Sequence, residues 1–138
     1  IAGSYKKIDI SNRYKNFAFI LLNSTLFFYF WIAFSDCYNL TQKYFSMFRI
    51  PNVCDNSELK KVAKELSNDM IKNMSVAEYN YKNNGMVRFA QFFPKLSKPI
   101  IDEIDKILAK YYGFTEEELD FIINYDIKYR MGDELNEE

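Results

Sequence analysis

The side chains best suited to chemistry in this sequence are cations interleaved with aromatic rings. They lie within residues 78–98, where tyrosines and phenylalanines flank four cations, Lys82, Arg88, Lys95 and Lys98. Cations bind phosphates and aromatic rings stack on nucleobases, so the pattern is typical of nucleic-acid binding. It is equally typical of a half-buried sheet whose cations extend their charged ends into water.

Composition excludes most catalytic chemistry. The 138 residues include no histidine, which excludes Ser-His-Asp and Cys-His catalysis and histidine-based zinc motifs. The four glycines are isolated, so there is no phosphate-binding loop or dinucleotide fingerprint. We expect the carboxylate pairs Asp102/Asp105 and Glu116/Asp120 to be solvated helix faces. We therefore predict no catalytic, cofactor-binding or metal-binding residue in this chain.

Cysteine usage and charge indicate the compartment and the partners. Cys37 and Cys54 form no CxxC pair, which favours the reducing cytoplasm and argues against a zinc site. Residues 1–100 hold 14 Lys and Arg against 7 Asp and Glu, whereas residues 101–138 hold 4 against 12. A basic body suits a polyanionic partner, and the acidic end can face a different one. Such charge runs are also typical of solvated helix faces.

One segment, Phe17–Phe34, contains no charged residue. Its eighteen residues reach the minimum length for crossing a bilayer. The triplet Asn-Ser-Thr at 23–25 lies at its centre, where polar groups would be costly in lipid. We therefore expect one long buried helix from about Ser11 to Phe34, and no membrane as a partner.

The remaining patterns predict a single domain, residues 1–138, of the α+β class. We expect it to be mostly helical, with a bundle-like core and a small antiparallel sheet or hairpin. The predicted elements besides the long helix are strands at 5–10 and 43–50, a helix capped by Ser57, a hairpin at 78–93 and a helix pair within 97–132.

Short local signals fix the positions of several of these elements. Asn84-Gly85 is a favoured hairpin turn. Ser97 is a candidate cap for the first helix of the C-terminal pair, and Gly113 supplies its left-handed stop. Thr115 and Glu118 form a capping box for the second helix. Asp126 and Arg130 can pair at i,i+4 within that second helix.

Two stretches of the chain resemble a known family. Residues 97–132 (SKPIIDEIDKILAKYYGFTEEELDFIINYDIKYRMG) are similar to the C-terminal end of large bacterial type IIG restriction–modification proteins and of related adenine-specific DNA methyltransferases. Residues 23–40 (NSTLFFYFWIAFSDCYNL) resemble a stretch in the target-recognition region of the same proteins. The order and the spacing of the two stretches fit the family.

The resemblance implies a role in recognising double-stranded DNA. In this family a methyltransferase domain binds S-adenosylmethionine and methylates adenine, which requires flipping the base, and a C-terminal region selects the sequence. The Asn-Pro-Pro-Tyr-type tetrad is absent from this chain, so no catalytic residue transfers to it. We therefore expect a non-catalytic fragment without a cofactor of its own. The cofactor and the methyltransferase domain are expected on the rest of the parent chain.

We assign DNA contacts to the cations and amides near the predicted hairpin. The candidates are Lys82, Arg88, Lys95 and Lys98 for phosphates and Arg49, Asn83 and Asn84 for base edges, which Arg and Asn can contact with two hydrogen bonds. The alternative is a protein-interaction domain that docks through its acidic C-terminal helices. A membrane-anchored protein and an S-adenosylmethionine-binding enzyme are weaker alternatives.

Overall fold

The computed structural model describes residues 7–38, 40–53, 55–82 and 85–125. Over these residues the fold is α+β and mostly helical, as predicted, with short 3-10 helices at Asn12–Tyr14 and Pro94–Ser97. The other elements are α1 (Lys15–Leu22), α2 (Thr25–Phe34), α3 (Gln42–Met47), α4 (Ser57–Asn73), β1 (Ser75–Tyr81), β2 (Gly85–Gln91), α5 (Lys98–Tyr112) and α6 (Glu116–Asn124).

The apolar segment is not one helix, and the prediction of a continuous helix is wrong. α1 and α2 are bent by 74° at a short break. The Ser24 hydroxyl donates to the Leu21 carbonyl at 2.6 Å and accepts from the Phe27 backbone N–H at 3.0 Å. Asn23 donates back to the Phe19 carbonyl at 2.8 Å. These side chains satisfy backbone groups that a continuous helix would have paired, so the polar triplet ends one helix and begins the next.

A carboxylate from a distant helix holds the start of α2. Asp105 of α5 accepts from the Thr25 N–H at 3.1 Å and from the Leu26 N–H at 3.3 Å. Its side chain is 2% exposed, so the prediction that Asp105 lies on a solvated face is wrong. A negative charge is stabilised at this position because the first N–H groups of a helix lack intrahelical acceptors and carry partial positive charge.

The start of α1 has the same arrangement. Asp55 accepts from the Asn16 and Phe17 backbone N–H groups at 2.8 and 3.0 Å, and from the Asn16 side chain at 2.9 Å. Each half of the apolar segment therefore begins against a carboxylate supplied from elsewhere in the chain.

The core lies where α1 and α2 pack against α4 and α5. Its members are apolar and almost fully buried, among them Phe17, Ile20, Leu59, Leu66, Ile104 and Leu108. An aromatic layer adjoins this core on the side of α3. There Phe45 stacks on Phe27 with ring centroids 5.8 Å apart, and Phe48 meets Phe30 edge-on at 4.8 Å.

Two predicted strands are absent from the described residues. The segment 43–50 contains α3, because Tyr44, Phe45 and Phe48 recur at helical spacing and pack inward together. Residues 7–10 have no regular structure, and the first part of the predicted strand at 5–10 lies outside the described residues.

The predicted C-terminal helix pair is confirmed as α5 and α6. Gly113 adopts φ +71° after α5, a left-handed conformation that favours glycine. The capping box also forms, since the Thr115 N–H donates to Glu118 at 2.9 Å and Thr115 accepts from the Glu118 N–H at 3.2 Å. The predicted pair of Asp126 and Arg130 lies outside the described residues.

Two other predicted caps differ in the structure. Asn56, rather than Ser57, is the N-cap of α4, because its side chain accepts from the Leu59 N–H at 3.0 Å. Ser97 makes no capping bond to α5 and instead donates its hydroxyl to Asp69 of α4 at 2.7 Å.

Across the described part of the chain, no single helix has the length and apolar character needed to span a membrane. The residues 12–22 and α2 pass that test only together, as a bent pair.

We expect Asp105→Ala to lower the free energy of unfolding by about 3 kcal/mol, because two buried N–H groups at the start of α2 lose their acceptor. Asp105→Asn retains one acceptor oxygen and should lose less. Urea unfolding followed by circular dichroism measures both changes. The matched control is Glu103→Ala, an exposed site on the same helix, which should stay within about 0.5 kcal/mol of the original chain. Equal stability of the Asp105 and Glu103 variants would contradict the capping role.

Candidate nucleic-acid interface

The cations and aromatic rings predicted to act together lie on and beside one hairpin. β1 and β2 pair antiparallel, from Ser75 opposite Gln91 to Tyr81 opposite Gly85. This confirms the predicted hairpin. Gly85 adopts φ +68°, which suits a residue leaving a tight turn. The candidate base-reading residues Asn83 and Asn84 lie outside the described residues.

The hairpin is exposed along nearly its whole length. In each strand one residue is half-buried, Ala77 in β1 and Val87 in β2, and the other residues are exposed. A two-stranded hairpin without a covering layer is only marginally stable in water. Its surface is therefore available to a partner.

Strand alternation gives the hairpin two chemically different faces. The face that we call the aromatic face contains eight residues, Ser75, Ala77, Tyr79, Tyr81, Gly85, Val87, Phe89 and Gln91. Tyr79 stacks on Phe89 with centroids 5.5 Å apart and ring planes 9° apart, and Tyr81 is 6.4 Å from Tyr79. Tyr79, Tyr81 and Phe89 are 55%, 51% and 36% exposed. The three rings form an open row.

The opposite face contains an ion pair. Arg88 and Glu78 are directly opposed across the strands, and the Arg88 Nε atom lies 2.7 Å from the Glu78 carboxylate. Both side chains are largely exposed to water. An exposed pair of this kind contributes little to stability, so the guanidinium can exchange this partner for another anion at low cost.

Three further exposed cations lie at the tip and the base of the hairpin. Lys82 follows β1 at the turn, Lys72 is in the last turn of α4, and Lys95 is in the 3-10 helix after β2. Residues 72–95 contain four Lys and Arg against one Asp or Glu, a balance of +3, in a chain whose net charge is −1. The hairpin region is thus one part of the surface suited to an anionic partner.

Lys98 does not belong to this exposed set. The residue is 8% exposed, and its ammonium group binds the Asp102 carboxylate and the Ile123 carbonyl, the latter at 3.1 Å. The bond to Asp102 lies within α5, and the bond to Ile123 joins α5 to α6. The assignment of Lys98 to a phosphate contact is therefore wrong, because a buried and paired ammonium cannot reach DNA without leaving this site.

Arg49 is exposed but lies away from the hairpin. Its carbonyl accepts from the Tyr112 hydroxyl at 3.0 Å, at the C-terminal end of α5. Lys98 begins α5 next to the hairpin base, and the rise of the helix places Tyr112 about 21 Å further along. Of the predicted contacts, the structure places Lys82, Arg88 and Lys95 along one hairpin, from its tip to its base, and Arg49 away from it.

The exposed rings of the aromatic face were missing from the sequence-based list of DNA contacts. The Asn-Gly signal does not identify them, because a two-residue turn at Asn84-Gly85 would pair Asn83 with Met86 and would put Tyr79 and Tyr81 on one face with Arg88 and Ala90. The observed pairing of Tyr81 with Gly85 instead puts Tyr79, Tyr81, Val87 and Phe89 on one face. Only the structure shows that this face is left uncovered.

The fold and the hairpin thus define a mostly helical α+β domain with an exposed aromatic arm. Comparisons of the chain with protein-family models, with curated proteins and with solved structures find no match. The resemblance to restriction–modification proteins therefore rests on residues 23–40 and 97–132 alone.

We expect Lys98→Met to destabilise the fold by about 2 kcal/mol, because Asp102 and the Ile123 carbonyl lose a buried donor. Chemical unfolding measures this loss. Lys106→Met is the matched control, since Lys106 pairs with Glu103 on the surface of the same helix and its replacement should change stability much less. The internal role of Lys98 is refuted if its replacement leaves stability unchanged and weakens DNA binding.

Tyr112 gives a prediction for alkaline pH. Burial raises the pKa of the Tyr112 phenol above its ordinary value, so the folded chain holds this proton more tightly than the unfolded chain. The resulting stability is complete below about pH 10, the ordinary tyrosine pKa, and is lost as the pH rises beyond it. Tyr112→Phe should therefore show a shallower fall in unfolding free energy above about pH 10.

Urea unfolding at neutral and alkaline pH measures this slope. Tyr38→Phe, which removes a tyrosine hydroxyl at an exposed position, is the control. Parallel pH profiles for the Tyr112 variant and the original chain would show that Tyr112 does not titrate differently on folding.

Proposed function

We propose that this chain is a DNA target-recognition segment of an adenine-specific DNA methyltransferase or of a fused type II restriction–modification enzyme. In this proposal the chain is not catalytic by itself. S-adenosylmethionine and the methyltransferase domain belong to the rest of the parent protein. The observation that carries the DNA-binding part is the exposed hairpin with its surrounding cations.

The dimensions of the hairpin support a DNA contact. The major groove of B-DNA admits a two-stranded β-ribbon, and seven residues per strand give each arm a length of about 20 Å. Lys82 at the tip and Arg88 on one face can approach phosphates on either side of such a groove. Lys95 at the base extends the same positive surface.

The distribution of acidic residues also supports a DNA contact at the hairpin. Glu116, Glu117 and Glu118 form the first turn of α6 and are exposed. The bond from Lys98 to Ile123 places the end of α6, rather than its start, beside the start of α5 and the hairpin base. The glutamates therefore lie toward the other end of the helix pair, where they do not oppose a polyanion bound at the hairpin.

The resemblance supplies the link to methylation. An enzyme that methylates adenine in a duplex must flip the base, and the flanking DNA must be held while the base is extruded. A packed helical body with a projecting cationic hairpin is suited to that holding role.

The alternative is a protein-interaction domain that docks through its acidic C-terminal helices. It is favoured by the exposed Phe121, which lies on α6 close to the three glutamates and contacts Tyr29 edge-on at 5.4 Å. Glu116→Gln with Glu117→Gln should weaken such a partner and leave DNA binding intact.

The proposal is tested by the salt dependence of DNA affinity. We expect the full chain to bind duplex DNA with an affinity that falls linearly with salt on a log–log plot. Lys82→Ala should reduce the slope by about one, and Lys82→Ala with Arg88→Ala by about two, because each lost phosphate contact releases about one counterion fewer. Fluorescence anisotropy titrations at several salt concentrations measure the slopes.

Lys110→Ala is the control, since Lys110 is exposed near the opposite end of α5 from the hairpin. It should leave the slope unchanged. The proposal fails if duplex DNA is not bound, and the role of the hairpin fails if the Lys82 and Lys110 variants behave alike.

A further inference from the structure

We propose that the aromatic face of the hairpin binds unpaired nucleobases by stacking, so that the hairpin holds DNA that is single-stranded or locally opened. This inference rests on the proposed DNA-binding function and specifies the form of DNA that the hairpin binds. The observation that supports this inference is the open row of rings formed by Phe89, Tyr79 and Tyr81.

The geometry of this row suits successive bases. Neighbouring centroids are 5.5 and 6.4 Å apart, and Phe89 and Tyr79 stack on each other with nearly parallel planes, so a base can use the ring faces that these two do not turn to each other. A base can stack on such a ring whatever its identity, because every base has a π-face. In an intact duplex these faces are covered by the neighbouring base pairs, so the rings can use them only where the bases are unpaired.

The charge pattern supports the same ligand. None of the eight residues of the aromatic face is charged, so the face offers no cation to a phosphate. The cations lie around it, with Lys82 at the tip, Lys72 and Lys95 near the base and Arg88 on the reverse side. A single strand placed with its bases on the rings can turn its phosphates outward toward these cations.

The same charge pattern disfavours a second copy of the chain as the occupant. Two hairpins meeting through their aromatic faces would bring together two regions that each carry a balance of +3 over residues 72–95. Repulsion between them opposes that pairing, whereas a nucleic acid neutralises it.

The experiment compares three labelled probes of one mixed sequence: a single strand, a perfect duplex, and a duplex with a short single-stranded gap. We expect the full chain to bind the single strand and the gapped duplex on the order of tenfold more tightly than the perfect duplex. A single strand in which abasic sites replace the bases should lose this advantage, because its phosphates remain and its stacking surfaces do not.

The variants separate stacking from folding. Tyr79→Ile with Tyr81→Ile keeps residues that favour strands and should lose the preference for unpaired bases while retaining duplex binding. Tyr79→Phe with Tyr81→Phe keeps the rings and should retain the preference. Val76→Ala with Met86→Ala is the matched control, because both residues are exposed and apolar but lie on the opposite face.

The possible failures are distinguishable. Equal binding of all probes, with no effect of the isoleucine variant, overturns the stacking inference and leaves duplex recognition standing. A preference for unpaired bases that persists in the isoleucine variant places the site elsewhere and also overturns the inference. Absence of binding to every probe overturns the proposed function itself. Self-association that the isoleucine variant abolishes, without any preference among probes, assigns the rings to a second copy.

Discussion

The fold depends on a buried carboxylate at a helix start. Asp105 receives the first N–H groups of α2, and without such an acceptor those groups would be buried without a partner at the centre of the molecule. The charge is stabilised in turn, because the N–H groups point toward it and the helix dipole has its positive end there. This interaction allows the apolar segment to turn by 74° inside the core, where a continuous helix would have run past the other helices.

The bend determines what the remaining elements can pack against. α1 lies against α4 and carries Phe17, Ile20 and Leu21 into the core, while α2 turns toward α5 and α6. The outer side of α2 carries further rings, so α3 can cover it through Phe45 and Phe48. Most of the described ring contacts lie among the helices, in the layer between α2 and α3 and in the cluster of Tyr29, Phe121 and Tyr125. The row on the hairpin lies apart from these groups, and its rings are exposed.

The features that could be predicted from the sequence depend on residues close together in the chain. The hairpin follows from Asn84-Gly85, the end of α5 from Gly113, and the start of α6 from Thr115 and Glu118. The break in the apolar segment had a local signal, since Asn23 and Ser24 bond to backbone groups of α1 and α2, but the burial of the break depends on Asp105, eighty residues from Thr25. Lys98 was misassigned because its burial depends on a contact with α6 that no local pattern indicates. α3 was misassigned through its period, since a short segment rich in aromatics can fit a strand or a helix.

The hairpin has a rigid base even though its faces are exposed. Asp69, one turn before the end of α4, accepts from the Ser97 hydroxyl at 2.7 Å and from the Asn73 side chain at 3.1 Å. Ser97 directly precedes α5 and is buried, so this contact joins the chain entering the hairpin to the chain leaving it. Lys98 then fixes the start of α5 to the end of α6. The base of the arm is therefore fixed to the helical body, while the strands mainly contact each other. A fixed base favours recognition by the hairpin. A contact that moves independently of the helical body would add little to holding a ligand in register.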